Sequence, residues 1–144
     1  AALNRLQELL DLYPYSDKRD EVTDMLFQLQ DRLVLKELNA ARLYYNLGSY
    51  AGNCYFGGNN YEASIITAEN ALKQYPYTQY REELEMLTLR ARYKLAVNSV
   101  ASKADERFRQ TIDEYYGFKN EFPDSKNMKE ADQIFKHCSR MIMN

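Results

Sequence analysis

The sequence contains few residues that interrupt helices. Only 5 glycines and 3 prolines occur among its 144 residues, which leaves few breakers for a chain of this length. Hydrophobic residues make up 45% and charged residues 28%, as is ordinary for a soluble protein. The composition therefore favours long helices, and a chain of this length fits one domain with a substantial core.

The sequence also lacks a basic block and a long apolar run. Its formal net charge is −2, and lysine and arginine alternate with aspartate and glutamate along the chain. Nucleic acid is therefore not expected as a partner, because phosphate contacts need a concentrated positive surface. No apolar run approaches the ~20 residues that span a bilayer. Residues 1–5 do not have the pattern of a signal peptide.

Motifs of the common enzyme classes are missing as well. The chain has no G-x-S-x-G, Walker, H-E-x-x-H or G-x-G-x-x-G sequence, so no catalytic site and no cofactor is expected. His137 stands beside Cys138, but one histidine without further ligands at suitable spacing makes a poor metal site. Cys54 and Cys138 are expected to be free thiols, since buried cysteine commonly acts as a small hydrophobic residue.

Each of the three prolines occurs in the same local pattern, which we call the aromatic-proline mark. An aromatic residue precedes the proline, and Ser or Thr follows two positions later. The marks are Tyr13-Pro14-Tyr15-Ser16, Tyr75-Pro76-Tyr77-Thr78 and Phe122-Pro123-Asp124-Ser125. Because proline biases the residue before it away from helix, the aromatic residue should close one helix. The hydroxyl should then accept a hydrogen bond from an N–H at the start of the next helix.

Apolar residues recur at matching distances on both sides of the marks. After the first mark they are Val22, Met25, Leu29 and Leu33, and equivalent positions after the other marks are also apolar. Steps of three and four residues define one face of a helix. Each mark therefore joins two amphipathic helices, and the prolines are 62 (76 − 14) and 47 (123 − 76) residues apart. Helix pairs repeated in this way predict an all-α solenoid, in which each pair needs its neighbours to bury its apolar face.

About seven helices are expected within a single repeat domain over residues 1–144. The predicted ranges are 2–12, 17–37, 38–47, 61–74, 79–97, 105–120 and 127–142. Whether 17–37 and 38–47 are continuous is left open by the pattern. A loop is expected near 46–60, where four glycines and four asparagines occur between Asn46 and Asn60, and a short polar connection is expected over 99–103. Loops of such length as 46–60 are more often functional than structural.

Particular residues resemble a known family. The second-helix half of a tetratricopeptide repeat is matched by Tyr61, Glu62, Ala63, Ser64, Ala68, Ala71 and Pro76. A more specific set comprises Tyr13 to Ser16, Leu29-Gln30-Asp31-Arg32-Leu33, Glu37, Ala41-Arg42-Leu43-Tyr44-Tyr45 and Tyr75 to Thr78. Together they resemble the BamD family, the tetratricopeptide lipoproteins of the outer-membrane β-barrel assembly machinery. The resemblance covers essentially the whole chain but only the later repeats of that family.

The resemblance implies a non-enzymatic scaffold at the periplasmic face of the outer membrane. It would contact BamA-like POTRA domains and help to deliver unfolded outer-membrane proteins. The lipid anchor of the family, a modified cysteine, and its early repeats would precede residue 1. The 46–60 loop is longer than the usual turn by roughly ten residues. The alternative is a soluble tetratricopeptide chaperone or cell-envelope adaptor without BamA contact.

Affinity in protein interfaces is concentrated in a few aromatic and arginine positions. On that basis the predicted partner-contacting residues are Arg42, Tyr45, Arg90, Tyr93 and Lys94, together with the 46–60 loop. The charged set around Asp31, Arg32, Glu37 and Arg42 has a second interpretation as solvated or interhelix charges. The adjacent residues Tyr44 and Tyr45 should point in different directions on a helix, so one is expected to pack and the other to face a partner.

The last predicted helix has an apolar face. Its residues are Ile134, Phe135, Cys138, Met141 and Ile142. A terminal helix of a repeat array normally has a polar outer surface. This face is therefore expected either to fold back onto helix 105–120 or to receive a partner.

Overall fold

The structure is a computed structural model that describes residues 2–15, 17–48 and 59–143. Within these ranges it is all-helical, with six helices and no strand. The helices are α1 (Ala2–Leu12), α2 (Arg19–Leu47), α3 (Asn60–Gln74), α4 (Arg81–Val97), α5 (Ala101–Glu121) and α6 (Met128–Met143). None of them combines the length and the apolar composition that crossing a bilayer requires.

The expected number of about seven helices is wrong, because the ranges 17–37 and 38–47 form one helix. α2 runs for 29 residues without interruption, and its sequence contains neither glycine nor proline. Every backbone N–H within it can therefore continue the helical hydrogen-bond pattern. The predicted connection over 99–103 is also shorter than expected. α5 already begins at Ala101, after Val100 in an extended conformation.

The helices pack in two layers. Each helix contacts the next one along the chain, and in addition α2 contacts α4 and α4 contacts α6. The even-numbered helices α2, α4 and α6 therefore form one layer. The odd-numbered helices α1, α3 and α5 form the other layer, which packs against it. This arrangement places residues of α2, α4 and α6 next to one another although they are far apart in the sequence.

The aromatic residue of each mark closes a helix, as predicted. Tyr75 follows α3 with φ −131° and ψ 69°, and Phe122 follows α5 with φ −127° and ψ 59°. Their N–H groups still bond to the carbonyls of Ala71 and Phe118, at 2.9 and 2.8 Å. Tyr13 after α1 donates to Leu9 in the same way, at 3.0 Å. The non-helical conformation before each proline is the one that proline imposes on its predecessor.

The hydroxyl groups of the second and third marks hold two helices together. Thr78 accepts a hydrogen bond from the N–H of Tyr80 at 3.2 Å and donates to Asp31 of α2 at 2.6 Å. Ser125 accepts from the N–H of Asn127 at 3.0 Å and donates to Glu82 of α4. The predicted capping of the next helix is wrong for these two hydroxyls, because each accepts a hydrogen bond from an N–H of the turn before the helix, and Tyr80 is the N-cap of α4 without a side-chain cap hydrogen bond. Ser16 of the first mark lies outside the described residues. The second and third marks are thus each tied to an earlier helix of the even layer.

Thr78→Val tests this tie. The variant keeps the shape of the buried side chain but leaves the Asp31 carboxylate and the Tyr80 N–H without their partner. We expect a loss of about 1–2 kcal/mol in the free energy of unfolding, measured by urea denaturation. Thr78→Ser retains the hydroxyl and should lose less than about 0.5 kcal/mol beyond its missing methyl group. No loss in Thr78→Val, which keeps the methyl group, would show that the hydroxyl does not contribute to stability.

Two large hydrophobic clusters run along the layers. The first joins α2, α3 and α4 and contains Val34, Leu38, Ala41, Ala68, Ala71, Leu84 and Leu87. The second joins α4, α5 and α6 and contains Met86, Leu89, Ala96, Phe108, Tyr115, Phe118, Ala131, Ile134 and Cys138. The apolar face of the last helix therefore folds back onto α5, which is the first of its two expected alternatives. Cys138 is buried there as a free thiol, and burial raises its pKa to about 11.

The buried stripe of α2 differs from the predicted one. Of the predicted stripe Val22 is buried, but Met25 and Leu33 are 53% and 41% exposed. Leu26 is buried as well, and further along α2 the structure buries Val34 and Leu38 rather than Leu33. Both sets of residues are apolar and both follow helical spacing, so the face that packs is chosen by α3 and α4.

Candidate functional site

The five predicted partner-contacting residues come together in the even layer. Arg42 and Tyr45 lie near the carboxyl end of α2, and Arg90, Tyr93 and Lys94 lie on the second half of α4. All five line two adjoining pockets. The sequence thus identified a contiguous surface from two segments about fifty residues apart.

The first pocket has a volume of about 450 Å³ and the second of about 370 Å³. The first is lined by Arg42, Tyr45, Asn46, Glu83, Met86, Leu87, Arg90, Lys126 and Asn127. The second is lined by Tyr45, Arg90, Tyr93, Lys94, Glu130, Gln133 and Ile134. Tyr45 and Arg90 belong to both and form the wall between them. We call the two pockets together the even-helix groove.

The groove contains pairs of like residues at a constant spacing. Arg42 and Arg90 are 48 residues apart (90 − 42), as are Tyr45 and Tyr93 (93 − 45). Arg42 of α2 forms an ion pair with Glu83 of α4. Arg90 of α4 forms the matching pair with Glu130 of α6, 47 residues further on (130 − 83). The same interhelix contact therefore occurs twice along the layer.

The two ion pairs differ in their surroundings. Arg90 donates from Nε and Nη2 to the two oxygens of Glu130, both at 2.7 Å. The hydrogen bonds from Arg90 lower the pKa of the Glu130 carboxyl, and those to Glu130 raise the pKa of Arg90. Both groups are fully charged at neutral pH. Arg42 and Glu83 are roughly half exposed, and exposed pairs of this kind contribute little to stability.

The two tyrosines are packed at one side and open at the other. Tyr45 meets Tyr61 edge to face with ring centroids 5.8 Å apart, and burial raises the pKa of Tyr45. The hydroxyl of Tyr93 lies 2.6 Å from Nδ1 of His137, and burial raises the pKa of Tyr93 as well. Both phenols are therefore neutral. Of the adjacent pair, Tyr45 packs against Tyr61 and Tyr44 is the more exposed residue, and contact of the exposed one with a partner stays a prediction.

The ammonium groups of Lys94 and Lys126 have no ion-pair or hydrogen-bond partner among residues 2–15, 17–48 and 59–143. Both side chains are exposed. Lys94 lines the second pocket and Lys126 the first. Each pocket therefore offers one uncompensated positive charge to whatever enters it.

The predicted 46–60 loop is described only at its ends. Asn46 and Leu47 belong to α2, and Asn59 caps α3 by accepting a hydrogen bond from the N–H of Tyr61 at 2.8 Å. Asn60, the first residue of α3, donates from its side chain to the carbonyl of Leu47 at 3.1 Å. Residues 49–58 lie outside the described residues, as does the role expected for them.

Gly48 lies where α2 and α3 approach each other. A Cβ atom at this position would overlap the ring of Tyr61. The close approach requires glycine, and it allows Tyr61 to pack against Tyr45 at the edge of the groove.

Sequence reasoning missed several residues of the groove. Glu83 and Glu130 hold the two arginines, and Lys126, Asn127 and Gln133 complete the lining. The sequence signal for these contacts is the similar spacing of the two arginines and of the two glutamates along the chain. Asp31, from the charged set of α2, bonds to Thr78 and lies outside the groove, so for this residue the interpretation as an interhelix charge is correct.

Two further pockets contain none of the predicted residues. One, of about 260 Å³, lies between α2 and the turn around Pro76, and the other, of about 390 Å³, lies between α3, α4 and α5. Across the part of the chain that is described, no three His, Cys, Asp or Glu side chains are grouped as metal ligands would be. The even-helix groove is therefore the candidate site. No protein-family model matches the sequence, and no curated protein matches it significantly.

Proposed function

We propose that this chain is a non-catalytic protein-binding scaffold of the outer-membrane β-barrel assembly machinery. It would contact the POTRA domains of a BamA-like partner and help to deliver unfolded outer-membrane proteins. The observation that carries the proposal is the even-helix groove, which joins Arg42 and Tyr45 of one repeat to Arg90 and Tyr93 of the next. The resemblance of the marks and of residues 29–45 to the BamD family supplies the identity of the partners.

We interpret the two layers of helices as a tetratricopeptide-like solenoid. In such an array each repeat contacts only its neighbours, and one layer of helices is left open as a binding surface. The contacts of α2 with α4 and of α4 with α6 agree with this arrangement. Further support comes from the two matching ion pairs and from the similar conformations of Tyr75 and Phe122.

The shape of the groove favours a polypeptide over a small molecule. The two pockets adjoin along the layer and are open, so a ligand that fills both must extend across three helices. Tyrosine and arginine, the residue types most enriched in interface hot spots, form the wall between them. Their positions are fixed by the Arg90–Glu130 and Tyr45–Tyr61 contacts. A preformed surface of this kind loses little conformational entropy when it binds.

The proposal includes a location. In the parent protein a lipid on an N-terminal cysteine would hold the repeats at the periplasmic face of the outer membrane, where POTRA domains also lie. The chain itself would then meet the membrane only through that anchor, and its partners would be proteins.

Binding to purified POTRA domains of the BamA homologue from the same organism tests this function. We expect the chain to bind them. The double variant Arg42→Ala/Arg90→Ala should raise the dissociation constant at least about tenfold, because it removes two hot-spot residues. The measurement is isothermal titration calorimetry.

The matched control is Arg81→Ala/Arg107→Ala. It also removes two interhelix arginines, which pair with Glu121 and Glu62 outside the groove, and it should change the affinity less than about threefold. Failure of the unaltered chain to bind any POTRA domain would refute the role in barrel assembly and favour the adaptor interpretation. Equal losses in the two double variants would refute the groove as the contact surface.

A further inference from the structure

We infer that the even-helix groove binds an acidic, extended polypeptide segment that carries an apolar side chain for each pocket. This inference rests on the proposed function of the groove as a protein-binding surface and adds the chemistry of the partner. It is carried by the distribution of charge in the groove and by the partly buried tyrosine rings that line it.

The groove is positive although the chain is acidic. Four cationic side chains and two carboxylates line it, namely Arg42, Arg90, Lys94 and Lys126 with Glu83 and Glu130. The chain as a whole has a formal net charge of −2. Complementary charge steers a partner and selects it against others. The charge of this surface therefore selects acidic segments.

Both carboxylates of the groove are paired with arginines, so its two lysines remain for a partner. Glu83 is taken up by Arg42, and Glu130 by both donors of Arg90. Lys94 and Lys126 have no partner of this kind within the described ranges. They lie in different pockets, on either side of the Tyr45 and Arg90 wall. A segment that crosses this wall therefore meets one free ammonium group before it and one after it.

The tyrosines of the groove add a second requirement. Tyr45, which lines both pockets, and Tyr93, which lines the second, are only partly buried. A carboxylate alone would leave their rings in contact with water, whereas an apolar side chain next to the carboxylate covers them. The preferred segment thus presents an acidic residue and an apolar residue twice.

The pairing also excludes basic segments. A lysine or arginine of an incoming chain finds both groove carboxylates already bound to arginines, and it is repelled by the two free ammonium groups. Juxtaposed like charges are a common way of rejecting wrong partners. The groove should therefore discriminate by the sign of the charge as well as by apolar contact.

Fluorescence anisotropy with synthetic peptides tests the inference. The probe is a fluorescein-labelled peptide of about ten residues, long enough when extended to cross three packed helices, with two Glu-Phe pairs separated by Gly and Ser. Two companion peptides carry Gln or Lys in place of Glu. We expect the Glu peptide to bind at least about tenfold more tightly than the Gln peptide, the Lys peptide to bind more weakly still, and the preference to fall with added salt.

The key variant is Lys94→Glu/Lys126→Glu, and its matched control is Lys73→Glu/Lys103→Glu. Both change the net charge equally, but Lys73 and Lys103 lie on α3 and α5. The key variant should bind the Glu peptide at least about tenfold more weakly and the Lys peptide more tightly than the unaltered protein does. Tighter binding of the Lys peptide also demonstrates that the variant is folded. The control should keep the original order of the three peptides.

The possible outcomes separate the inference from the function on which it rests. Equal binding of the Glu and Gln peptides, an equal loss in the control, or no binding of any peptide by a chain that binds POTRA domains would overturn the acidic preference alone. The proposed function is refuted only if POTRA binding itself is absent. Glu-peptide binding that the key variant reverses supports the inference in either case.

Discussion

Leu38→Ala should reduce the free energy of unfolding by about 3–5 kcal/mol, whereas Leu33→Ala should reduce it by less than about 1 kcal/mol. The two residues are of the same type and lie five positions apart on α2. Leu38 is 0% exposed within the cluster that joins α2, α3 and α4, and Leu33 is 41% exposed. Truncation at Leu38 therefore leaves a cavity, while truncation at Leu33 removes a side chain that is partly exposed and does not belong to this cluster.

Chemical denaturation in urea measures both losses, and the slope of the transition checks that the native state is intact in each variant. Leu33→Ala serves as the control, since its intrinsic helix propensity changes by the same amount. A loss at Leu33 as large as that at Leu38 would mean that the stripe predicted from the sequence, and not the one observed, faces the core.

Glu85→Gln should stabilise the protein at pH 8, by on the order of 3 kcal/mol. Glu85 lies on α4, and its side chain is only 12% exposed. Burial and a hydrogen bond with the Glu121 carboxylate raise the pKa of Glu85 to about 8, against an opposing effect of Arg81. Arg81 is shared, since it also pairs with Glu121 of α5, and Glu114 adds a further negative charge nearby. One of the two carboxyl groups that share Arg81 therefore keeps its proton.

The pH dependence of this effect follows from the sign of the shift. Between the ordinary pKa of 4.5 and the folded value of about 8, the native state binds the Glu85 proton and the unfolded state does not. The free energy of unfolding of the unaltered protein therefore falls as the pH rises through this window, and it levels off above it. Glutamine cannot ionise, and its amide keeps a hydrogen-bond donor for Glu121. The free energy of unfolding of the variant therefore does not fall in this way.

Urea denaturation at a series of pH values measures the difference. The two proteins should be about equally stable near pH 4.5, and the variant should gain progressively up to about pH 8. Glu8→Gln provides the control, since it also removes one carboxyl group but at an exposed position of α1, away from Arg81. A difference between Glu85→Gln and the unaltered protein that is constant with pH would show that Glu85 is ionised in the folded state.

The helices and their ends were largely predictable because they depend on local chemistry. Proline and the residue before it set the ends of α1, α3 and α5 through backbone geometry that involves only neighbouring residues. The predicted starts and ends of most helices are accordingly within a few residues of the observed ones. α2 was the exception, since a dense run of apolar and charged residues gives no sign of whether one helix or two is present.

The candidate groove was predictable in part. Arg42, Tyr45, Arg90, Tyr93 and Lys94 were chosen from residue type and resemblance, and they line one continuous surface. Their partners were not foreseen, because Glu83 and Glu130 reach them from other helices. An ion pair across two helices leaves no trace in the spacing within either helix.

The sequence by itself determined that this protein is helical and that each aromatic-proline mark joins two amphipathic helices. The tertiary structure decided which of two apolar stripes of α2 is buried, which carboxylates pair with which arginines, and which of the groove's cations remain unpaired. The physical reason is the range of the interactions. Helix formation and helix ending depend on residues within a few positions, whereas burial and ion pairing depend on groups that only the packing of α2, α4 and α6 brings together.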